Sequence, residues 1–288
     1  MLNQPSSPAI PVPHVLLVEC PDRRGLVHEI TGVLLRHHCN VTSNHEFVDV
    51  EGNRFFMRTE FTGEVDAASV VNETKQLLPE GGNARLAQHG KRRVVLLASR
   101  EHHCLADLLV RHAFDELNAE LLAVISNHDT LRPFVEKFGI PFHHVSHEGK
   151  SREDHEAAVM ALLDTLNPEC LVLAKYMRVL STRFVTAYAR RMVNIHHSFL
   201  PAFVGAKPYQ QAFERGVKVI GATAHFVTEQ LDEGPIILQQ VIPVDHTHSA
   251  ADMAQAGRDV EQIVLSRALK LVFEDRVFLS GNRTIIFD

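Results

Sequence analysis

The sequence predicts an α/β protein in two unlike parts: a small βαββαβ unit in residues 1–90 and a mostly parallel sheet wrapped by helices in residues 91–288. Three observations carry that reading. A chain of 288 residues holds two domains, one small and one of ordinary size. The segment order changes near Arg93, from hairpin-joined strands to strands that alternate with helices. The run Cys170–Ala174 is wholly apolar, as in a strand covered on both faces.

The first part begins with His14–Cys20, β-rich and imperfectly alternating, which predicts a strand. Pro21 to Gly25 turn the chain. Asp22 is a natural N-cap for a helix whose apolar positions Leu26, Ile30, Val33 and Leu34 fall at helical spacing. Asn40 can end that helix. Strands over about Val41–Val50 and Asn53–Phe61 meet at a tight hairpin turn, Glu51-Gly52. A helix over Val65–Leu78 and a strand over Ala84–Gln88 complete βαββαβ, the order of a ferredoxin-like unit.

In the second part, strands are predicted at Val94–Ala98, Ala119–Ser126, Phe142–Val145 and Cys170–Ala174. Helices are predicted near Leu105–Asn118, after Asp129, over Arg152–Leu166 and over Ser249–Phe273. This alternation gives a Rossmann-like sheet, which places ligands at the carboxyl ends of its strands.

Composition narrows the function. Hydrophobic residues make up 45% and charged residues 22%, the balance of a globular protein in solution. A net charge of −6 and scattered basic residues argue against a nucleic-acid surface. The longest basic run, Lys91-Arg92-Arg93, reads as a solvated linker. The stretch Met1–Pro8 lacks the pattern of a signal peptide, and no apolar run approaches membrane-spanning length. Four scattered cysteines without a CxxC pair read as buried or semi-buried thiols of a cytoplasmic protein. Nineteen histidines include several adjacent pairs, but neighbours on a strand point to opposite faces. With no HExxH and no Cys/His cluster at ligand spacing, no metal site is expected.

Chemistry is therefore sought after the strands. Asn194 and His196 lie two apart on a strand and project to one face. An amide donor beside an imidazole suits a developing oxyanion. Asp232, just before Gly234-Pro235, holds a carboxylate in a turn above that face. Together such groups can move protons around a carbonyl without a metal or a covalent intermediate. Singly, His196 reads equally well as a core histidine and Asp232 as a turn-former.

The set has a specific resemblance. Asn194-Ile195-His196 with Leu200-Pro201 and Gly205, followed by His225-Phe226-Val227 and Asp232-Glu233-Gly234-Pro235, resembles the formyltransferase superfamily over residues 92–280. The first part, with Asp22-Arg23-Arg24-Gly25-Leu26 at its first strand–helix turn, resembles the ACT regulatory domain. The resemblance implies that Asn194, His196 and Asp232 are catalytic. It also implies that the Met177-Arg178-Val179-Leu180 backbone and the Asp232 loop hold the pterin of a 10-formyl folate. His197 and Gly234 join the substrate-binding candidates, and the sequence leaves open whether His197 or His225 touches substrate.

Transferases of the superfamily carry Pro after the catalytic His, where this chain has His197. Their first strand ends in a Gly/Ser-rich phosphate loop, whereas Ala98–Leu105 here has no glycine. Ser99, Arg100 and His103 can still bind an anion. With the ACT-like part added, the resemblance implies the hydrolytic branch of the superfamily. Its members convert 10-formyltetrahydrofolate to formate and tetrahydrofolate, supplying one-carbon and purine metabolism. The folate is substrate, and no cofactor is expected. Asp22, Gly25 and Leu26 become candidates for binding an amino-acid effector, glycine or methionine, at a domain or subunit interface. A homo-oligomer, dimer or tetramer, is expected. Lys207 and Tyr209 read as a solvated lysine and a packed tyrosine. Formyl transfer to an amine is the alternative reaction, and a non-catalytic folate or amino-acid sensor the alternative class.

Overall fold

The computed structural model describes residues 13–87, 90–202 and 208–288. Gly205, Lys207, Gln88 and the stretch Met1–Pro8 lie outside them. The chain divides into two compact units, residues 1–89 with Phe287–Asp288, and residues 90–286.

The first unit runs β1 (His14–Pro21), α1 (Leu26–Arg36), β2 (Asn40–Asp49), β3 (Arg54–Thr62), α2 (Ala67–Leu77) and β4 (Asn83–Leu86). Its sheet is antiparallel throughout, in the order β2-β3-β1-β4, with His14 opposite Phe61 and Pro21 opposite Arg54. Alternate residues of β1, Leu16, Val18 and Cys20, enter one core with Phe55, Met57 and Phe61. The predicted stripe Leu26, Ile30, Val33 and Leu34 of α1 closes that core.

Two helix-end expectations are corrected. Asp22 does not cap α1; Gly25 occupies that position with φ 90° and no side-chain bond to the helix. The chain remains in a turn until glycine, free of a Cβ, takes the left-handed conformation that starts the helix. Asn40 does not end α1 either. His38 turns left-handed (φ 56°), and the His38 and Cys39 N–H groups close onto the Leu35 and Leu34 carbonyls at 3.0 and 2.9 Å. Asn40 is the first residue of β2.

The second unit contains β5 (Arg92–Ala98), α3 (His103–Ala113), β6 (Ala119–Ser126), α4 (Arg132–Val135), β7 (Phe142–His144), α5 (Arg152–Leu166) and β8 (Cys170–Leu173). There follow α6 (Thr182–Ala187), β9 (Met192–His196), α7 (Pro208–Glu214), β10 (Val219–Phe226), β11 (Ile236–Pro243) and α8 (Ala250–Phe273). A hairpin of β12 (Val277–Ser280) and β13 (Arg283–Ile286) ends the unit. The helix α3 stops at Ala113, short of Asn118, because Asp115 and Asn118 both take positive φ. The sheet order is β11-β10-β9-β8-β5-β6-β7, parallel from β9 to β7 with β10 and β11 antiparallel.

Strand β5 shows how this sheet is covered on both faces. Val94, Leu96 and Ala98 pack toward a core shared with Leu105 and Leu108 of α3 and Val264 of α8. Val95 and Leu97 pack toward Val159 and Leu163 of α5 and Phe184 of α6. A strand buried on both sides must be apolar at every position, which explains the unbroken run. The chain proceeds outward from β5 to β7, then returns to β8 on the other side of β5. The strand order reverses there, the place where open α/β sheets bind ligands. Among the described residues, no helix is long and apolar enough to cross a membrane.

Candidate active site

A cavity of about 340 Å³ opens at the carboxyl ends of β8 and β9. Its walls include Met177, Arg178, Val179 and Leu180 from the loop after β8, Asn194 and His196 from β9, His197 just after it, and Asp232 from the loop after β10. The predicted trio and the predicted folate loop thus share one space.

Strand parity sets the trio's geometry. Val193 and Ile195 enter the core toward α3 and α8, so Asn194 and His196 point to the other face. Asp232 reaches them from a backbone with φ 58°, outside regular structure. One of its carboxylate oxygens lies 3.3 Å from His196 Nδ1, the other 3.8 Å from His225 Nε2. Burial pushes the Asp232 carboxyl up, but the His196 hydrogen bond and the electrostatic effect of the surrounding His196, His225 and His197 rings outweigh it. The group is held below the usual carboxylate range. With its Nδ1–H turned to a carboxylate, His196 keeps Nε2 bare. That buried nitrogen has no hydrogen-bond partner among the described residues.

His225, left open by the sequence, has a defined place. It stands directly across from Asn194 in the β9–β10 ladder. Its Nδ1 lies 2.9 Å from the Phe226 carbonyl, which can only accept, so Nδ1 carries the proton. Burial lowers the pKa of this imidazole and keeps it neutral, leaving Nε2 as an acceptor. Asn194 Nδ2 donates to it at 3.1 Å. That bond orients the Asn194 amide and leaves its second N–H for the cavity. The signal lay in Thr223–Val227, but the role follows only once β9 and β10 are paired antiparallel.

His197 is half-buried, stacks on His196 with ring centroids 4.7 Å apart, and lines the cavity. Tyr209 lies 6.4 Å beyond it. Gly234 is not among the cavity-lining residues: a Cβ there would sit 1.8 Å from the Phe226 carbonyl oxygen. Its lack of a side chain lets the Asp232 loop lie against β10. Leu200-Pro201 follows β9 in a segment fixed by buried Thr223, whose hydroxyl accepts from the Leu200 N–H and donates to the Ser198 carbonyl. In the first unit, Gly25 is exposed, Asp22 is half-buried and Leu26 is part of the core. Arg23 binds Glu29 and the Leu77 carbonyl beside them.

The loop after β8 is anchored at three points. Met177 N–H donates to Ser99 Oγ at 3.0 Å, and that hydroxyl donates to Asn127. Ser181 N–H and Oγ both bond buried Glu156. Lys175, left-handed at φ 63°, sends its ammonium 3.0 Å from Glu261 on α8. Glu261 is 1% exposed and also receives the Tyr209 hydroxyl at 2.7 Å and His103 Nε2 at 2.8 Å. Tyr209 fits because Gly257, one helical turn before Glu261, has no Cβ. Burial raises the Glu261 carboxyl, but His103, Lys175 and Tyr209 together bring it from 4.5 to about 2.

This buried cluster was not read from the sequence, because its members are spread from residue 103 to residue 261. His103, Cys104 and Glu261 lie within metal-chelating reach of one another. The Glu261 oxygens are already bonded, the Lys175 ammonium stands on one of them, and burial raises the Cys104 thiol well above its usual range. Glu261 is thus taken up by an ion-pair network, while the buried Nδ1 of His103 has no hydrogen-bond partner among the described residues and lies 3.7 Å from Glu101. Ser99 and His103, candidate anion ligands, are both committed inward, while Arg100 remains exposed.

Residues 92–269 match the formyl transferase family and residues 14–79 the ACT domain. The chain is 52% identical over 272 residues to the formyltetrahydrofolate deformylase of Haemophilus influenzae, covering 94% of this chain and 98% of that one. The crystal structure of a formyltetrahydrofolate deformylase from Pseudomonas syringae superposes with a TM-score of 0.91 at 43% identity, covering 96% and 94% of the two chains. A glycinamide ribonucleotide transformylase from Symbiobacterium toebii matches at TM-score 0.67 and 32% identity, over 70% of this chain and 96% of its own. The cavity trio thus sits in a chain whose likeness to deformylases runs nearly end to end, and the chain belongs to the formyltetrahydrofolate deformylase family.

Proposed function

We infer that the chain hydrolyses 10-formyltetrahydrofolate to formate and tetrahydrofolate. The observation that carries this is the Asp232–His196 pair beside an oriented Asn194 amide, in one cavity with the loop 177–180. Met177, Val179 and Leu231 are large apolar residues left 61%, 53% and 58% exposed on that cavity. A flat pterin and its aromatic tail would cover them.

Water attacks the formyl carbon on N10, and Asp232 takes its proton directly or through His196. The Asn194 N–H donates to the oxyanion of the tetrahedral intermediate, and so does His196 once its Nε2 has taken up a proton. The C–N10 bond then breaks as the proton held by Asp232 or His196 passes to N10, so tetrahydrofolate and formic acid, which ionises to formate, leave in equal amounts. His225 positions Asn194. No metal takes part in this scheme, and the folate is consumed as substrate.

Water is the acceptor because the segment after β5 offers no glycine turn for a phosphorylated amine. Arg100, Glu101 and His102 are exposed there, and His103 is turned inward. In the deciding assay, 10-formyltetrahydrofolate is incubated with the enzyme, with and without glycinamide ribonucleotide. Formate should match tetrahydrofolate one for one in both cases. A formylated amine as main product would establish the transferase alternative, and no turnover at all the sensor.

The ACT unit is proposed to bind glycine or methionine at the Asp22–Leu26 turn, where the first N–H groups of α1 have no partner within the helix. Each amino acid is titrated into the wild type and into Gly25→Val, whose β-branched side chain does not tolerate φ 90°. Activity should change in the wild type alone. No response in the wild type would reduce the unit to an assembly device. We also propose a homodimer or homotetramer in the cytoplasm. The open β2 edge with its exposed Val41 and Phe47 supports the first, and four free cysteines, three of them buried, support the second. Light scattering checks the oligomer.

A further inference from the structure

The Asp232 carboxylate must stay within about 3 Å of His196, yet its loop has little regular structure to hold it there. Asp232 takes a left-handed φ, and neither helix nor strand covers residues 227–235. One side of the loop is secured by β10. Gly234 presses on the Phe226 carbonyl, and Phe226 N–H donates to the Pro235 carbonyl at 2.9 Å.

The other side faces the β12–β13 hairpin. Between them lies an open cleft of about 580 Å³, bordered by Leu200, Pro201, Asp232 and Gly234. Side-chain hydrogen bonds cross from the hairpin to the loop and to Ile236, the first residue of β11. Asn282 Nδ2 donates to the Glu233 carbonyl at 2.9 Å, and Thr284 Oγ1 donates to the Ile236 carbonyl at 2.6 Å. These carbonyls bracket Gly234-Pro235, and the first belongs to the residue directly after Asp232.

The hairpin that makes those bonds is tied to the core of the unit. Val277 and Leu279, alternate residues of β12, pack against the core that contains Phe226, Ile237 and Val264. Ser280 pairs with Arg283 across a turn in which Gly281 takes φ 60°. Asn282 and Thr284 are thus fixed to the same core as the strands that carry Asn194, His196 and His225.

We propose that Asn282 and Thr284 are positioning residues for catalysis: the C-terminal hairpin holds the Asp232 loop at the Glu233 carbonyl and the junction of that loop with β11 at the Ile236 carbonyl, and so sets the carboxylate against His196. The proposal rests on the hydrolytic reading above. A displacement of about 1 Å in a catalytic group can cost on the order of a hundredfold in rate, so even partial release of the loop should be measurable.

The experiment compares Asn282→Ala, Thr284→Val, the pair combined, and Thr284→Ser, each in the full-length chain and assayed well below its Tm. The combined variant should lose roughly tenfold or more in kcat, while tetrahydrofolate binding, read by titration calorimetry, changes by less than about threefold. Thr284→Val removes the donor and keeps the shape. Thr284→Ser restores the donor and should restore kcat. The same substitutions in an Asp232→Asn background should cost almost nothing further, because they act through that carboxylate.

Unchanged kcat in the combined variant would overturn the proposal. So would equal losses in Thr284→Ser and Thr284→Val, or an undiminished loss in the Asp232→Asn background. A wild type that releases no formate fails the hydrolytic reading. An active wild type with unimpaired hairpin variants fails the positioning role alone.

Discussion

Asp232→Asn should lower turnover at least roughly a hundredfold while leaving the fold and tetrahydrofolate affinity nearly intact. The substitution keeps shape and volume, so the loop retains its backbone contacts to Phe226, Asn282 and Thr284. It removes both things the carboxylate does. An amide cannot accept the proton of the attacking water. Nor does it supply the negative charge 3.3 Å from His196 Nδ1 that holds the imidazole in the tautomer with Nε2 bare. Folate contacts assigned to the 177–180 loop lie on another segment, anchored through Ser99 and Glu156. The loss should therefore fall on kcat. Turnover near the wild-type value would remove Asp232 from the mechanism and leave it a loop residue.

How much of this was legible in sequence depended on whether the signal was local. The two-part division, the βαββαβ order and the doubly covered sheet all rest on periodicity, and the unbroken run Cys170–Ala174 showed burial directly. Parity placed Asn194 and His196 on one face before any coordinates. Helix ends were less legible, because Asp22 and Asn40 suit caps by residue type while the backbone turned at Gly25 and His38. The β12–β13 hairpin went unread although Gly281-Asn282 between two β-rich runs is a turn signal. His225 opposite Asn194, and Glu261 with three distant partners, were beyond reach. Both depend on which segments pack together, and local pattern does not encode that.

Glu261→Gln should destabilise the protein by about 3–5 kcal/mol, because it leaves the buried Lys175 ammonium without its counter-charge. For a chain of this size that corresponds to a fall in Tm of roughly 6–20 °C, read by calorimetry at neutral pH. The pH dependence tests the cause. The carboxyl is lowered from 4.5 to about 2 in the folded protein, so its contribution is fully present above its unfolded value. It is lost as pH falls through the folded value. The gap in Tm between wild type and variant should therefore narrow below pH 4.5 and close near pH 2. Catalysis should suffer as well. Lys175 fixes one end of the 175–181 loop, proposed to hold the folate, through this carboxylate, so the variant should raise KM for 10-formyltetrahydrofolate more than it lowers kcat. A Tm gap that stays constant into acid would show that Glu261 acts by shape and hydrogen bonding, with no role for its charge.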